Sequence, residues 1–197
     1  MKKLLWKGGA LLAPVPPVMV TCGTIEKPNV LTIAWTGILN TIPPKTYISV
    51  RPERYSYPMI KKTGEFVINL TTKELVRAAD LCGVKSGADC DKLKLAELKL
   101  EKSSIVTAPM LDNSPVSIEC RVCDIIPLGS HDMFIADIVA VNVSEALVDS
   151  AGKLNLDKCG LIAYSHGEYF SLGEKLGTFG FSVRKKPLRK KRANKKA

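Results

Sequence analysis

Between residues 18 and 70 the apolar positions recur in short runs broken by glycine, proline and polar clusters, the pattern of strands joined by turns. VMVTCGT (18–24), VLTIAWT (30–36), TYISVR (46–51) and EFVINL (65–70) read as four strands. In the third, Thr46, Ile48 and Val50 point one way while Tyr47, Ser49 and Arg51 point the other. Further on, VSIECRVCDII (116–126) and MFIADIVAVNV (133–143) flank the turn sequence PLGSH and predict a long antiparallel hairpin. Helical spacing is rarer. YSYPMIKKTG carries Pro58 in its first turn, where it is tolerated, and ends in Gly64. KELVRAADLCG gathers Leu75, Ala78, Ala79 and Leu81 on one side and ends in Gly83. DKLKLAEL (91–98) reads as a third, short helix. Six or more strands with hairpin links and inserted helices predict a mainly β protein, an antiparallel β-barrel with inserted helices and not a parallel βαβ sheet. No internal repeat is visible.

Composition changes this picture little. With 197 residues, 46% of them apolar, the chain is long enough for one domain with a proper core. The net charge of +10 is unevenly spread: RKKPLRKKRANKKA (184–197) holds nine positive charges and no acid, which leaves +1 for the rest. Residues 1–183 therefore form the expected domain, and 184–197 a disordered basic tail. A nucleic-acid module built on that tail ranks low, because the body offers neither a basic face nor an aromatic platform. The opening MKKLL imitates an export signal, but Lys7, Gly8, Gly9 and three prolines interrupt the apolar run. No run of about 20 apolar residues predicts a membrane span. The expected location is the cytoplasm, where the six cysteines are read as reduced structural thiols. In VSIECRVC, strand alternation puts Cys120 on the apolar face with Ile118 and Val122, and Cys123 opposite with Glu119 and Arg121, so the pair suits neither a redox motif nor a metal knuckle.

Several chemistries lack their residues. Two histidines, His131 and His166, stand without partners at ligand spacing, so no metal site is expected. No serine sits in a nucleophile elbow, no Walker lysine is present, and the glycines of GEKLGTFG do not follow the dinucleotide fingerprint. An enzyme of this composition leaves the chemistry to a bound cofactor.

What remains is a corner. In ISVRPERYS (48–56), two arginines and a serine stand where a strand gives way to a helix. Guanidinium forks, a hydroxyl and free helix N–H groups together suit a phosphate. Ser86, Gly87 and Lys92 in CGVKSGADCDK (82–92) form a second loop of similar character. Between them, VLTIAWTG presents Thr32, Ala34 and Thr36 on one face, small enough for a flat ring to lie against the backbone, and Trp35-Thr36-Gly37 offers main-chain hydrogen bonds at the strand end. Asn69 closes the strand EFVINL. On residues alone, Trp35 reads equally well as ordinary core, and Asn69 as the cap of a turn.

These same stretches carry a resemblance. NVLTIAWTG, SVRPERYSYPMIKKTGEFVINL, CGVKSGADCDK, GSHDMFIADIV and HGEYFSLGEKLGTFGFS, in this order from about residue 10 to residue 182, resemble the flavin reductase-like family, its flavoredoxin branch in particular. The resemblance implies an FMN-binding split β-barrel of Greek-key type, working as a homodimer with the flavin near the subunit interface. It implies that Ala34, Trp35, Thr36 and Gly37 contact the isoalloxazine, and that Arg51, Arg54, Tyr55, Ser56, Ser86, Gly87 and Lys92 hold the phosphate and ribityl groups. Asn69 would bond near the ribityl chain, and Tyr169 and His166 would close over the site, from the partner subunit in one arrangement. His131 would lie near the approach of nicotinamide or acceptor; a hairpin or core role for it is equally open. The implied activity is that of a flavin-dependent oxidoreductase or electron-transfer flavoprotein, passing electrons from NAD(P)H or a reduced protein through FMN to a small-molecule or protein acceptor. A non-catalytic flavin-binding or storage protein is the alternative. The reading includes no metal, no specific nucleic acid and no membrane partner.

Overall fold

The computed structural model describes residues 1–184, so the basic tail beyond Arg184 lies outside the described residues. The strands are β1 (Val18–Gly23), β2 (Pro28–Ile33), β3 (Thr36–Thr41), β4 (Pro44–Val50), β5 (Glu65–Leu70), the two-residue β6 (Leu100–Glu101) and β7 (Met110–Leu111), β8 (Val116–Pro127), β9 (Asp132–Val143), β10 (Ile162–Ser165) and β11 (Glu168–Ser171). The helices are α1 (Ser56–Thr63), α2 (Val76–Val84) and α3 (Lys92–Leu95). Seven strands form one antiparallel sheet in the order β2-β1-β5-β8-β9-β4-β3.

That order forces the sheet to roll. β2 and β3 are its two edges, yet only Ala34 and Trp35 lie between them in sequence. From Ile33 to Thr36 the chain takes three steps, at most about 11 Å, so the two edges must come together. The Ser49 N–H donates to the Trp35 carbonyl at 2.9 Å, carrying the β3–β4 ladder one residue further up to this crossing. The result is a barrel split at one corner. Its interior is filled by Val18, Val20, Ile33, Ile48, Phe66, Ile68 and Phe134, with Ile60 of α1 joining them. A second cluster lies outside the barrel wall, where Leu75, Ala79 and Cys82 cover Met19 and Val30. β1 is thus buried on both faces, which accounts for its unbroken buried pattern.

Most sequence-predicted elements recur within two residues of their expected ends. Four differ. The stretch 30–36 is not one strand: it breaks at Ala34–Trp35 as the chain crosses from one sheet edge to the other, and β3 begins at Thr36. The alternation therefore slips, leaving Leu31 and Ile33 buried but Trp35 38% exposed. Helix α2 runs through Gly83 to Val84, with Lys85 extended after it. Segment 91–98 is helical only over Lys92–Leu95, where the Asp91 carboxylate accepts from Lys94 N–H at 3.1 Å. Finally, Glu119 is not on an open face; it is fully buried. Loop 103–109 folds over it, and its carboxylate accepts from the N–H groups of Ser104, Ile105 and Val106 and from Asn142 Nδ2, all within 2.9 Å. Cys120 is buried and Cys123 exposed, as alternation predicts, and all six cysteines are free thiols. Among the described residues no helix is long and apolar enough to cross a membrane.

Candidate functional site

The seam where β2 hands over to β3 opens into a cleft of about 460 Å³. Ala34 and Trp35 line it, with Thr32 on β2, Arg51 and Arg54 after β4, Gly83 on α2, and His131, Tyr164 and Tyr169 beyond. Local contacts explain the shape. The Thr32 hydroxyl donates to the Ala79 carbonyl at 2.5 Å, drawing α2 onto β2. A Cβ on Gly83 would stand 3.4 Å from Thr32 Cβ, in ordinary van der Waals contact, which shows how closely α2 lies on β2. Arg54 Nη1 donates to the Gly83 carbonyl at 3.0 Å and ties the corner after β4 to the end of α2. The β10–β11 hairpin closes the far side: Tyr164 and Tyr169 meet edge to face at 5.4 Å, and the Tyr169 hydroxyl reaches Asp80 Oδ1 at 3.4 Å. Burial, together with the Asp80 charge, pushes the Tyr169 phenol up to about 12, so it stays a donor. Burial and the neighbouring Arg51 hold the His131 imidazole below its usual value, against the opposing pull of Glu53, and Arg54 adds to the lowering.

Leu31 and Arg54 are shared with a second, narrower pocket of about 130 Å³, lined also by Asn29, Tyr55, Ser56, Lys85, Ser86, Gly87 and Lys92; Glu53 is its one acid, against the three cations Arg54, Lys85 and Lys92, and makes no ion pair with Lys92. Lys92 is the informative residue. It is only 4% exposed, yet its ammonium has one hydrogen-bond partner among the described residues, the Cys82 carbonyl at 3.2 Å, and no carboxylate. Burial pushes its pKa down. The thiols of Cys22 and Cys82 are themselves pushed up to about 11 by burial, so they are neutral and offer no counter-charge. A buried ammonium without a carboxylate costs several kcal/mol unless an anion comes to it. Helix α1 adds little more: its N-cap Tyr55 makes no side-chain capping bond, but the Tyr57 N–H already donates to the Arg54 carbonyl at 2.8 Å and Pro58 has no N–H, which leaves the Ser56 N–H as the first-turn donor without a protein acceptor among the described residues. Ser56 is buried, its hydroxyl accepting from Asn29 Nδ2 at 2.6 Å. Gly87 completes the cradle, since a Cβ there would fall 2.4 Å from Asn29 Oδ1 and 2.8 Å from the Tyr55 ring.

The predicted site residues thus separate. Ala34, Trp35, Arg51, Arg54, His131 and Tyr169 line the cleft; Arg54, Tyr55, Ser56, Ser86, Gly87 and Lys92 line the cationic pocket. His166 lies apart, in an adjoining alcove. Three residues need correction. Thr36 is buried and spends its hydroxyl on the Tyr47 carbonyl at 2.6 Å. Gly37 pairs with Tyr47 on the β3–β4 ladder, away from the cleft. Asn69 is fully buried inside the fold, its amide donating to the Met19 carbonyl and Thr21 Oγ1 at 3.0 Å, while its oxygen accepts from Leu111 N–H and Ser117 Oγ. With donors and acceptor occupied, Asn69 stitches β1, β5, β7 and β8 together and reaches no ligand. Nor is the Trp35 carbonyl free, since Ser49 holds it. Among the lining residues that escaped the sequence reading are Asp80 and Tyr164. The signal for Tyr164 was present in IAYSHGEYFS, alternating residues around a two-residue turn.

The cleft and the cationic pocket adjoin at Leu31 and Arg54. The chain belongs to the flavin reductase like domain family, whose family model matches residues 11–173. Its fold is that of the flavoredoxin of Desulfovibrio vulgaris (Miyazaki F), to which it is 29% identical over 93% of this chain and 100% of that one, with a TM-score of 0.85. It also matches the fold of an FMN-binding protein from Thermus thermophilus, at 21% identity over 90% of this chain and 99% of that one, with a TM-score of 0.75. An uncharacterised protein of Archaeoglobus fulgidus is 31% identical over 73% of this chain and 81% of its own length. Family and likeness together support a flavin-related oxidoreductase role with a flavin cofactor.

Proposed function

We propose that this protein binds FMN and works as a homodimeric oxidoreductase, passing electrons from NAD(P)H or a reduced protein to a small-molecule or protein acceptor. The observation that carries the reading is Lys92, a buried cation without a carboxylate, in a pocket that Arg54 joins to the ring-sized cleft. A terminal phosphate supplies the missing anion. Lys92, Ser86 and the Ser56 N–H would hold it, with Arg54 at the junction between phosphate and ring. Trp35 and Tyr169 would exclude water from the ring, and Arg51, at the mouth, would favour anionic ligands. His131, its pKa lowered, would face an incoming substrate as a neutral imidazole. When bound, the flavin supplies the two-electron carrier chemistry that the side chains lack.

Exposed apolar side chains support the homodimer. Ile38 and Ile42 on the β3–β4 hairpin are 68% and 89% exposed, and Leu176 and Phe179 in the C-terminal segment are almost wholly uncovered. Light scattering after gel filtration is expected to give twice the chain mass. The buried, free cysteines fit a reducing cytoplasmic setting. Calorimetric titration of the cofactor-free protein with FMN and with riboflavin tests the phosphate pocket: FMN is expected to bind at least about a hundredfold more tightly, roughly 2.7 kcal/mol. Equal affinities would remove the phosphate from the account.

A further inference from the structure

The two ends of the chain share a composition that the body lacks. Residues 1–7, MKKLLWK, carry Lys2, Lys3 and Lys7 and no acid, and residues 184–197 carry nine positive charges and no acid. These three and nine cations exceed the net charge of +10, so residues 8–183 stand at −2. The positive charge is a property of the ends. Each end also sets large apolar side chains among or beside its cations. Leu4, Leu5 and Trp6 are 79%, 100% and 73% exposed, and Phe181 and Val183, next to Arg184, are 60% and 83% exposed. A solvated charged arm has no need of such side chains, and leaving them in water is unfavourable.

The fold starts both arms from one hairpin. Val15 exchanges two backbone bonds with Tyr164 of β10, at 2.9 and 2.8 Å. The Leu172 N–H, just after β11, donates to the Leu161 carbonyl at 3.4 Å. We propose that the two arms attach the protein to a membrane surface rich in anionic phospholipid. Such a surface answers both features. Its headgroup charge attracts lysine and arginine, and its interfacial layer takes up leucine and tryptophan side chains. A nucleic acid would answer the charge alone. The attachment is peripheral, since MKKLLWK is far too short to span a bilayer and no helix among the described residues is long and apolar enough to cross one. Stable peripheral anchoring takes two signals acting together, and the arms supply an apolar one and a polybasic one. The sequence reading expects no membrane partner because it weighs MKKLL only as an export signal; what the fold adds is that Leu4, Leu5 and Trp6 stay uncovered. The inference does not rest on the flavin reading.

Sedimentation of the full-length protein with vesicles tests it. Vesicles of phosphatidylcholine with about one third phosphatidylglycerol should bind at least about tenfold more tightly than phosphatidylcholine alone. Raising the salt from about 0.1 M to about 0.5 M should weaken that binding at least about tenfold. Leu4→Ser, Leu5→Ser and Trp6→Ser, made together, change exposed side chains and keep the fold; they should weaken binding about tenfold and abolish the blue shift of tryptophan emission that anionic vesicles induce in the parent. Arg189→Gln, Lys190→Gln, Lys191→Gln and Arg192→Gln, made together, should cost at least about tenfold. Equal binding to the two kinds of vesicle, or parental affinity in the serine variant, would overturn the proposal. Duplex DNA bound more tightly than the anionic vesicles would also overturn it and give the arms to nucleic acid.

Discussion

Replacing Lys92 by methionine removes the buried positive charge while keeping a long, flexible, apolar side chain. If Lys92 is a strut, its loss should destabilise the protein; if it waits for a phosphate, the loss should appear in binding. The magnitudes separate the two cases. The bond from the ammonium to the Cys82 carbonyl is worth about 1.5–3 kcal/mol as a charged hydrogen bond. Against it stands the desolvation of an ammonium, again on the order of several kcal/mol. Without an anion these nearly cancel, so the cofactor-free variant should melt within about 4 °C of the parent. With FMN bound, a charge at about 4 Å in a medium of effective dielectric near 20 is worth roughly 4 kcal/mol. Screening and neighbouring cations reduce this, and the expected rise in the FMN dissociation constant is about a hundredfold to a thousandfold. Riboflavin, which has no phosphate, should bind parent and variant within about a factor of two. Fluorescence titration of both ligands and a thermal melt of the cofactor-free protein read all three quantities. A melting point lower by more than about 8 °C, with FMN affinity unchanged, would show that Lys92 is structural and refute the reasoning.

Gly87→Ala drives a methyl group towards Asn29 Oδ1 and the Tyr55 ring; FMN affinity should fall at least about tenfold, with about 1–3 kcal/mol of stability lost to overpacking, read by titration and denaturant unfolding. Lys92 also makes the binding pH-dependent. Its pKa lies below the usual lysine value of 10.5, so the preference for FMN over riboflavin should fade as pH rises through that lowered pKa; a constant preference into the lysine range would contradict the assignment. At the acid end, burial raises the pKa values of Glu65 and Glu119, but the bonds they accept from loop 103–107 outweigh this and hold both below 4.5. Their contribution to stability is full above 4.5 and is lost as pH falls through the lowered folded values. Glu119→Gln should cancel most of that acid dependence and cost about 2–4 kcal/mol at neutral pH, because one oxygen becomes a donor facing donors. Asn69→Ala should destabilise the fold by a similar about 2–4 kcal/mol, while the folded fraction binds FMN as the parent does, a result that would separate Asn69 from the site.

Elements with a local period and a local stop were legible in the sequence. The EFVINL strand, the helix ending at Gly64 and the long hairpin each carry a local period and a local stop, and they recur as expected. The corner 48–56 and the loop 82–92 stood out in the sequence as two polar loops, and the fold brings residues of both to one pocket at Arg54, Ser56, Ser86 and Lys92. What escaped depends on long-range closure. The strand break at Ala34–Trp35 exists because the barrel must pass from one sheet edge to the other there, a demand made by distant strands. Asn69 was misplaced for the same reason: a polar residue at a strand end looks available until loop 103–111 folds over it and donates Leu111 N–H. Glu119 stands in the same position, an acid on an alternating strand that a loop covers.

The most direct measurement is the visible absorbance spectrum of the purified protein, followed by chromatographic identification of whatever heating releases. The account predicts flavin absorption bands and FMN, in a ratio near one per chain. A colourless protein that takes up no added FMN would contradict it, and Lys92 would then be a buried cation awaiting some other anion.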